Sequence, residues 1–204
     1  MTNLAQDINR EKVAGTAVPI DELLAQRWSP RAFAETPVPK EKLLALFEAA
    51  RWAPSCFGDQ PWRYIVCERG TAAWDDAFAC LSPGNKAWTE RVPVLLLAVA
   101  DSKFSRNGAD NRWGAYDTGA ASMSLVLEAT AQGLCAHQMG GFDIAEARAR
   151  FAIPASFTPM AVIAIGYQAP PETLDEELAQ RERAPRERRP LNATFFAGKW
   201  EHSF

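Results

Sequence analysis

The 204-residue chain is poor in the side chains that most catalytic and metal-binding proteins rely on: it has two histidines and four cysteines. None of the cysteines forms a CxxC pair. Cys135 and His137, two positions apart, have no companions at metal-ligand spacing, which argues against a zinc centre. Thiols scattered as Cys56, Cys67, Cys80 and Cys135 fit a reduced, cytoplasmic setting. The first twelve residues carry Asp7, Arg10, Glu11 and Lys12 and no apolar stretch, so they do not read as a secretory signal. The longest apolar run, residues 92–100, is too short to span a bilayer. Charge of one sign is also missing: the net charge is -3, which argues against general binding to nucleic acid or anionic membrane. There is no internal repeat and no low-complexity block.

What is present is a hydrophobic fraction of 48%, ample for one packed domain. Basic residues are concentrated locally, as Arg181, Arg183, Arg186, Arg188 and Arg189. They follow Glu172, Asp175, Glu176 and Glu177, so the run reads as a solvated charged segment rather than a nucleic-acid surface. Periodicity predicts a short helix over 21–27 capped by Asp21, and an amphipathic helix over 40–52 with Leu43, Leu44, Phe47 and Ala50 inward and Pro54 as its stop. It further predicts helices over 71–80 and 85–92 separated by Ser82-Pro83-Gly84, and a long, mostly covered helix over 112–132. An Asp143-capped helix is expected to run to residue 151. Strands are expected over 62–66, 93–100, 134–139 and 160–165. Leu191, Phe195, Phe196 and Trp200 form an apolar tail that the chain is too short to bury by itself, so a second subunit is expected to cover it.

Two segments carry most of the functional signal. Residues 27–33 place Arg27 and Arg31 around Ser29, and four-residue spacing at a helix end would bring both guanidinium forks to one side, as a phosphate requires. Residues 53–62 form a polar loop closed by Gln60-Pro61-Trp62. Together they suggest a phosphate-bearing aromatic ligand. Each piece also has a plainer reading: surface arginines are commonly solvated, a Pro-containing loop can be a connector, and Gly140-Gly141 can be a turn before the Asp143 cap. A lone His137 in an apolar strand is structural more often than catalytic, and Cys56 has no histidine partner to activate it.

In order along the chain stand Arg27-x-Ser29-x-Arg31-x-Phe33, a helix, Ala53-Pro54-Ser55 with Gln60-Pro61-Trp62, and a long helix with Asp117-x-Gly119-Ala120. Gly140-Gly141-Phe142 and Arg186-x-Arg188-Arg189-Pro190-Leu191 complete the series. This order resembles the FMN-dependent nitroreductase family over nearly all of the chain from about residue 20. The resemblance implies an α+β fold with a central, mostly antiparallel sheet flanked by helices, in an intertwined homodimer with exchanged C-terminal arms. It divides the chain into an N-terminal segment 1–19, a flavin-binding domain 20–185 and an arm 186–204. It implies FMN in clefts between the subunits and NADH or NADPH as hydride donor, with a nitroaromatic, quinone or related small-molecule acceptor served by a ping-pong mechanism.

By the same resemblance, Arg27, Ser29 and Arg31 anchor the phosphate, ribityl and pyrimidine side, with Trp28 between them where relatives carry a basic residue. Arg186 and Arg188 are the distal cations on the phosphate. Pro54, Ser55 and Cys56 line the ring from the neighbouring subunit with Gln60 nearby, and Gly58 stands where many relatives have an Asn. Gln138 and Met139 lie beside the ring. No side chain is assigned as catalytic, because flavin N5 carries the hydride; Gly140 and Gly141 approach it through their backbone, Gly140 standing where an acidic residue is common. Two other functions fit the same resemblance: a flavin enzyme for one particular metabolite (a dehydrogenase or reductive dehalogenase), or a non-catalytic flavin-binding module.

Overall fold

The computed structural model describes residues 12–204, so most of the segment 1–19 lies outside the described residues. At its centre is a four-stranded sheet in the order β1-β2-β4-β3, every pair antiparallel: β1 (Trp62–Glu68), β2 (Val94–Asp101), β3 (Cys135–Met139) and β4 (Phe157–Gly166). β2 is buried along almost its whole length because both of its faces are covered. Leu95, Leu97 and Val99 point into one cluster while Val94, Leu96 and Ala98 point into the other, as the two-residue period of a strand dictates. A continuous apolar run is the sequence signature of that two-sided burial.

One face of the sheet carries α2 (Lys40–Arg51) through Leu43, Leu46 and Ala50, and α5 (Gly114–Ala131) through Ala121, Leu125 and Ala129. The opposite face carries α3 (Ala72–Cys80) through Trp74 and Ala77, Trp88 of α4 (Pro83–Thr89), and Ala147 of α6 (Ile144–Arg150). Each fully buried leucine of these layers contributes on the order of 2 kcal/mol of transfer free energy. α1 (Glu22–Gln26) is short and capped by Asp21, whose carboxylate accepts from Leu23 N–H. α7 (Glu176–Arg183) follows the sheet and is capped by Asp175.

Four details differ from the sequence reading. α4 starts at Pro83 rather than Asn85, because proline at the first helical position sacrifices an N–H that has no partner there. Leu44 points outward and Leu46 inward in α2. The helix α7 was not anticipated; its charged composition concealed an inward stripe of Leu178, Ala179 and Glu182. Finally, the long helix α5 is mostly covered, as expected, but one stripe of it is left open within one chain. Trp113 just before it, then Tyr116 and Met123, form an open stripe with Tyr116 75% exposed.

From residue 183 onward no side chain is buried, and Leu191, Phe195, Trp200 and Phe204 stand open to solvent. Among the described residues no helix is long and apolar enough to cross a membrane, and no group of three or more His, Cys, Asp or Glu is arranged to hold a metal ion.

Candidate functional site

Residues 27–32 leave α1 as an irregular strap. α1 ends at Gln26, so the spacing of Arg27 and Arg31 is not helical, contrary to expectation; Pro30 forbids continuation. Arg27 Nη1 lies 3.4 Å from Ser29 Oγ, which puts these two side chains together. Beyond Pro30, the strap's N–H groups are taken by a carboxylate 151 residues away: Arg31 N–H lies 2.9 and 3.0 Å from the two oxygens of Glu182, and Ala32 N–H 3.0 Å from one of them. Glu182 is 1% exposed. Burial pushes its pKa up, against the pull of those N–H groups and of the Arg31 and Lys12 charges.

The C-terminal arginines divide their work. Arg186 Nη1 donates to the carbonyls of Lys12 (2.6 Å) and Ala25 (2.8 Å), and Nη2 to that of Arg27 (3.0 Å). This corrects the expectation that its fork is free for an anion, since three of its four Nη hydrogens are spent on backbone. Arg188 is exposed, and its one described hydrogen bond is to the neighbouring Glu187 carbonyl. Arg181 and Arg183 pair with Glu177 and Glu172. Arg27, Arg186 and Arg188 line a cavity of about 490 Å³ together with residues of the segment 14–20. Burial first, then repulsion from Arg188, lowers the pKa of Arg27; burial, then Arg27 and Arg188, lowers that of Arg186. No ion pair to a carboxylate is described for any of the three. Trp28 does not line this cavity; its ring lies 5.0 Å from Lys12 Nζ, and the residue borders a separate cavity of about 180 Å³ beside Cys135 and Gln168, whose buried amide has no hydrogen-bond partner.

β3 links the strap to the glycine pair. His137 Nδ1 lies 2.9 Å from the Pro30 carbonyl, and the imidazole packs on Trp88 with ring centroids 4.7 Å apart. Burial lowers its pKa, with Arg31 adding to the effect against two strap carbonyls. Three residues on, about 10 Å along the strand, comes Gly140. Gly141 is pressed against α4: its carbonyl accepts from Ser82 N–H and Asn85 Nδ2, and a Cβ there would sit 2.8 Å from Ser82 Oγ. No loop or cap hydrogen bond described uses the N–H of either glycine. Gln138 is exposed near them, whereas the Met139 side chain is in the core at 2% exposure and can offer only its main chain.

The loop 54–60 is anchored differently. Cys56 N–H donates to Asp117 Oδ2 at 2.9 Å, an aspartate of α5 that is itself 5% exposed. Gln60 N–H donates to Ser55 Oγ at 3.0 Å, and Asp59 accepts from Ser105 N–H and Oγ. Phe57, Gly58 and Gln60 all have positive φ (57°, 67° and 50°), two of them without the freedom of glycine. Phe57 points outward under the Arg106 guanidinium, 3.9 Å from its ring centroid. Cys56 is half-buried, and no catalytic partner stands beside it in these contacts.

The structure does not bring the strap and this loop together in one chain. The loop precedes β1 at one edge of the sheet and Gly140 follows β3 at the other, three strand spacings or about 14 Å across. Through the pairings Trp62 to Ala100 and Met139 to Val162 to Leu97, the two ends are also offset by three residues of β2, about 10 Å. The separation is therefore roughly 17 Å. Sequence reasoning missed Glu182, which no motif marks, and used Asp117 only as part of a pattern; a buried acid in an otherwise small and apolar helix was the available signal.

The model of the nitroreductase family matches residues 24–83 and 72–167. A 15.4 kDa protein of Mycolicibacterium smegmatis is 38% identical over 146 residues, covering 68% of this chain and 97% of its own. A Ralstonia nicotianae protein named "Putative NADH dehydrogenase/NAD(P)H nitroreductase" is 28% identical over 150 residues, 65% of this chain and 76% of its own. A solved structure described as an oxidoreductase containing FMN is 34% identical, superposes with a TM-score of 0.86, and covers 92% of this chain and 96% of that one. A nitroreductase family protein of Clostridium difficile, at 23% identity and a TM-score of 0.69, shares the fold over 89% of this chain. With the family model matched across most of its length and a relative at this identity, the chain belongs to the nitroreductase family.

Proposed function

We propose that this protein is an FMN-dependent oxidoreductase. It takes a hydride from NADH or NADPH and delivers it to a nitroaromatic, quinone or related acceptor in ping-pong order, working as a homodimer. The observation that carries the reading is the cluster of Arg27, Arg186 and Arg188 around a cavity that has no acidic residue in its lining among the described residues. Burial and the neighbouring Arg188 charge lower the pKa of Arg27 and of Arg186, so the cluster is an incomplete electrostatic arrangement, and a phosphate dianion at Arg27 and Arg188 completes it. The relatives described as containing FMN and as NAD(P)H nitroreductases support the choice of anion and of reductant.

In this reading Arg27 and Arg188 face the phosphate, Ser29 adds a hydroxyl, and Arg31 reaches the pyrimidine side. The N–H groups of Gly140 and Gly141 point donors at the ring, where glycine permits close approach. FMN supplies the hydride chemistry, so no acid or base side chain is required of the chain. The loop 54–60 contributes from a second copy, since within one chain it stands roughly 17 Å from the glycine pair, too far for both to meet one ring. The open stripe of Trp113, Tyr116 and Met123 and the uncovered Leu191, Phe195, Trp200 and Phe204 supply apolar surface for that association.

The test is spectroscopic. The purified protein titrated with FMN is expected to bind it stoichiometrically, lose the flavin absorbance on anaerobic addition of NADH or NADPH, and regain it on addition of a nitroaromatic or quinone. Failure to bind FMN overturns the whole reading; a bound flavin that neither nicotinamide reduces overturns the choice of reductant.

A further inference from the structure

The strap 27–32 carries three of the proposed cofactor contacts yet lies in no strand and no helix, so its backbone groups need partners from elsewhere. His137 takes the Pro30 carbonyl and the Ala169 N–H that of Ala32, and several of the remaining groups find partners in one short stretch of chain. Glu182, in the last turn of α7, accepts from the N–H groups of Arg31 and Ala32, while Arg186, four residues on, donates to the carbonyls of Ala25 and Arg27 and to Lys12. A carboxylate thus takes two of the strap's donors, and a guanidinium takes the first strap carbonyl together with that of Ala25 in the last turn of α1. Lys12 completes the junction by donating to the Ala184 carbonyl. An ionisable side chain buried as deeply as Glu182 carries a desolvation penalty that only specific hydrogen bonds offset, and here every one of its described bonds goes to the strap.

We infer that Glu182 and Arg186 are positioning residues: together they clamp the strap backbone and so present Arg27, Ser29 and Arg31 to the cofactor as one unit, while Arg188 meets the phosphate itself. This rests on the reading that the strap binds FMN, and it removes Arg186 from the set of direct phosphate ligands.

Comparing FMN with riboflavin, which lacks the phosphate, tests it on the full-length protein freed of flavin. Arg188→Ala is expected to weaken FMN and leave riboflavin unchanged. Glu182→Ala and Arg186→Ala are expected to weaken both flavins by the same factor, about tenfold, because the ribityl and ring contacts move with the strap. Glu182→Gln keeps an acceptor oxygen and should recover most of the affinity, at a melting temperature of the flavin-free protein equal to wild type; a role confined to general stability would not give that recovery. If Glu182→Ala does not fold, Arg186→Lys decides: equal losses for the two flavins support the clamp, and a loss confined to FMN overturns it. The clamp is also overturned if Glu182→Ala binds both flavins like wild type. Wild-type protein that binds neither flavin would instead defeat the cofactor reading.

Discussion

The strap 27–32 and the loop 54–60 are both irregular, both polar and both assigned to the same cleft, yet they are held by different parts of the chain. The strap is seated by long-range charge: a buried carboxylate and a guanidinium from the far end of the chain grip its main chain. The loop is seated partly by itself, through left-handed residues and a serine that caps it, and partly by mid-chain residues, Asp117 of α5 receiving the Cys56 N–H and Ser105 donating to Asp59. The difference teaches where each is vulnerable. Disturbing the C-terminal segment should loosen the strap and spare the loop; disturbing the start of α5 should do the reverse.

The largest expected effect comes from that helix start. A Cβ at Gly114 would lie 2.1 Å from the Asp101 carbonyl oxygen, so Gly114→Ala must shift backbone and should cost about 3 kcal/mol, the upper end of overpacking. Chemical denaturation measures the loss. Amide exchange should then quicken more at Cys56, whose acceptor Asp117 lies one turn further along, than at Arg31 or Ala32. Equal quickening at both places would break the contrast between strap and loop.

On the strap side, Arg188→Ala should weaken FMN binding by about 1.5–3 kcal/mol, the worth of a hydrogen bond to a charged group, as read by calorimetric titration. Exchange at Cys56 should not change. Unaltered FMN affinity would leave the arginine cluster without the ligand assigned to it.

The smallest effect sharpens the tie between strap and sheet. His137 holds the Pro30 carbonyl, and its pKa is lowered from 6.5 chiefly by burial. Below that value the unfolded chain takes up a proton that the folded one resists, so stability contributed by this group is present above pH 6.5 and lost as pH falls, by at most about 1.4 kcal/mol per pH unit. Glu182, with its raised pKa, acts in the opposite sense: its contribution is greatest at low pH and declines as pH rises above the ordinary carboxylate value. The difference between wild type and His137→Gln, followed by denaturation across about pH 5 to 7, isolates the histidine; parallel profiles would show that the imidazole is not the group responsible.

Much of the fold was readable from local pattern. The apolar run of β2, the Asp21 and Asp143 caps, and the long α5 with small residues against the sheet are consequences of periodicity and capping that involve only near neighbours in the chain. α7 was hidden because charged residues predominate in it and its inward stripe is only three residues wide. Trp28 and Arg186 were grouped with a cofactor by their place in a motif, and the fold turned one to another cavity and engaged the other with carbonyls.

By itself the amino-acid order determined most of the element types, the family and the chemistry on offer: fixed cations, a glycine pair and few histidines and cysteines. Only the tertiary structure decided which of those cations remain available, because that depends on which backbone groups lack partners once the strap is laid against α7. It also decided that the strap and the loop end up at opposite edges of one sheet. Strand order sets that separation, and strand order is a property of long-range pairing that no local pattern encodes.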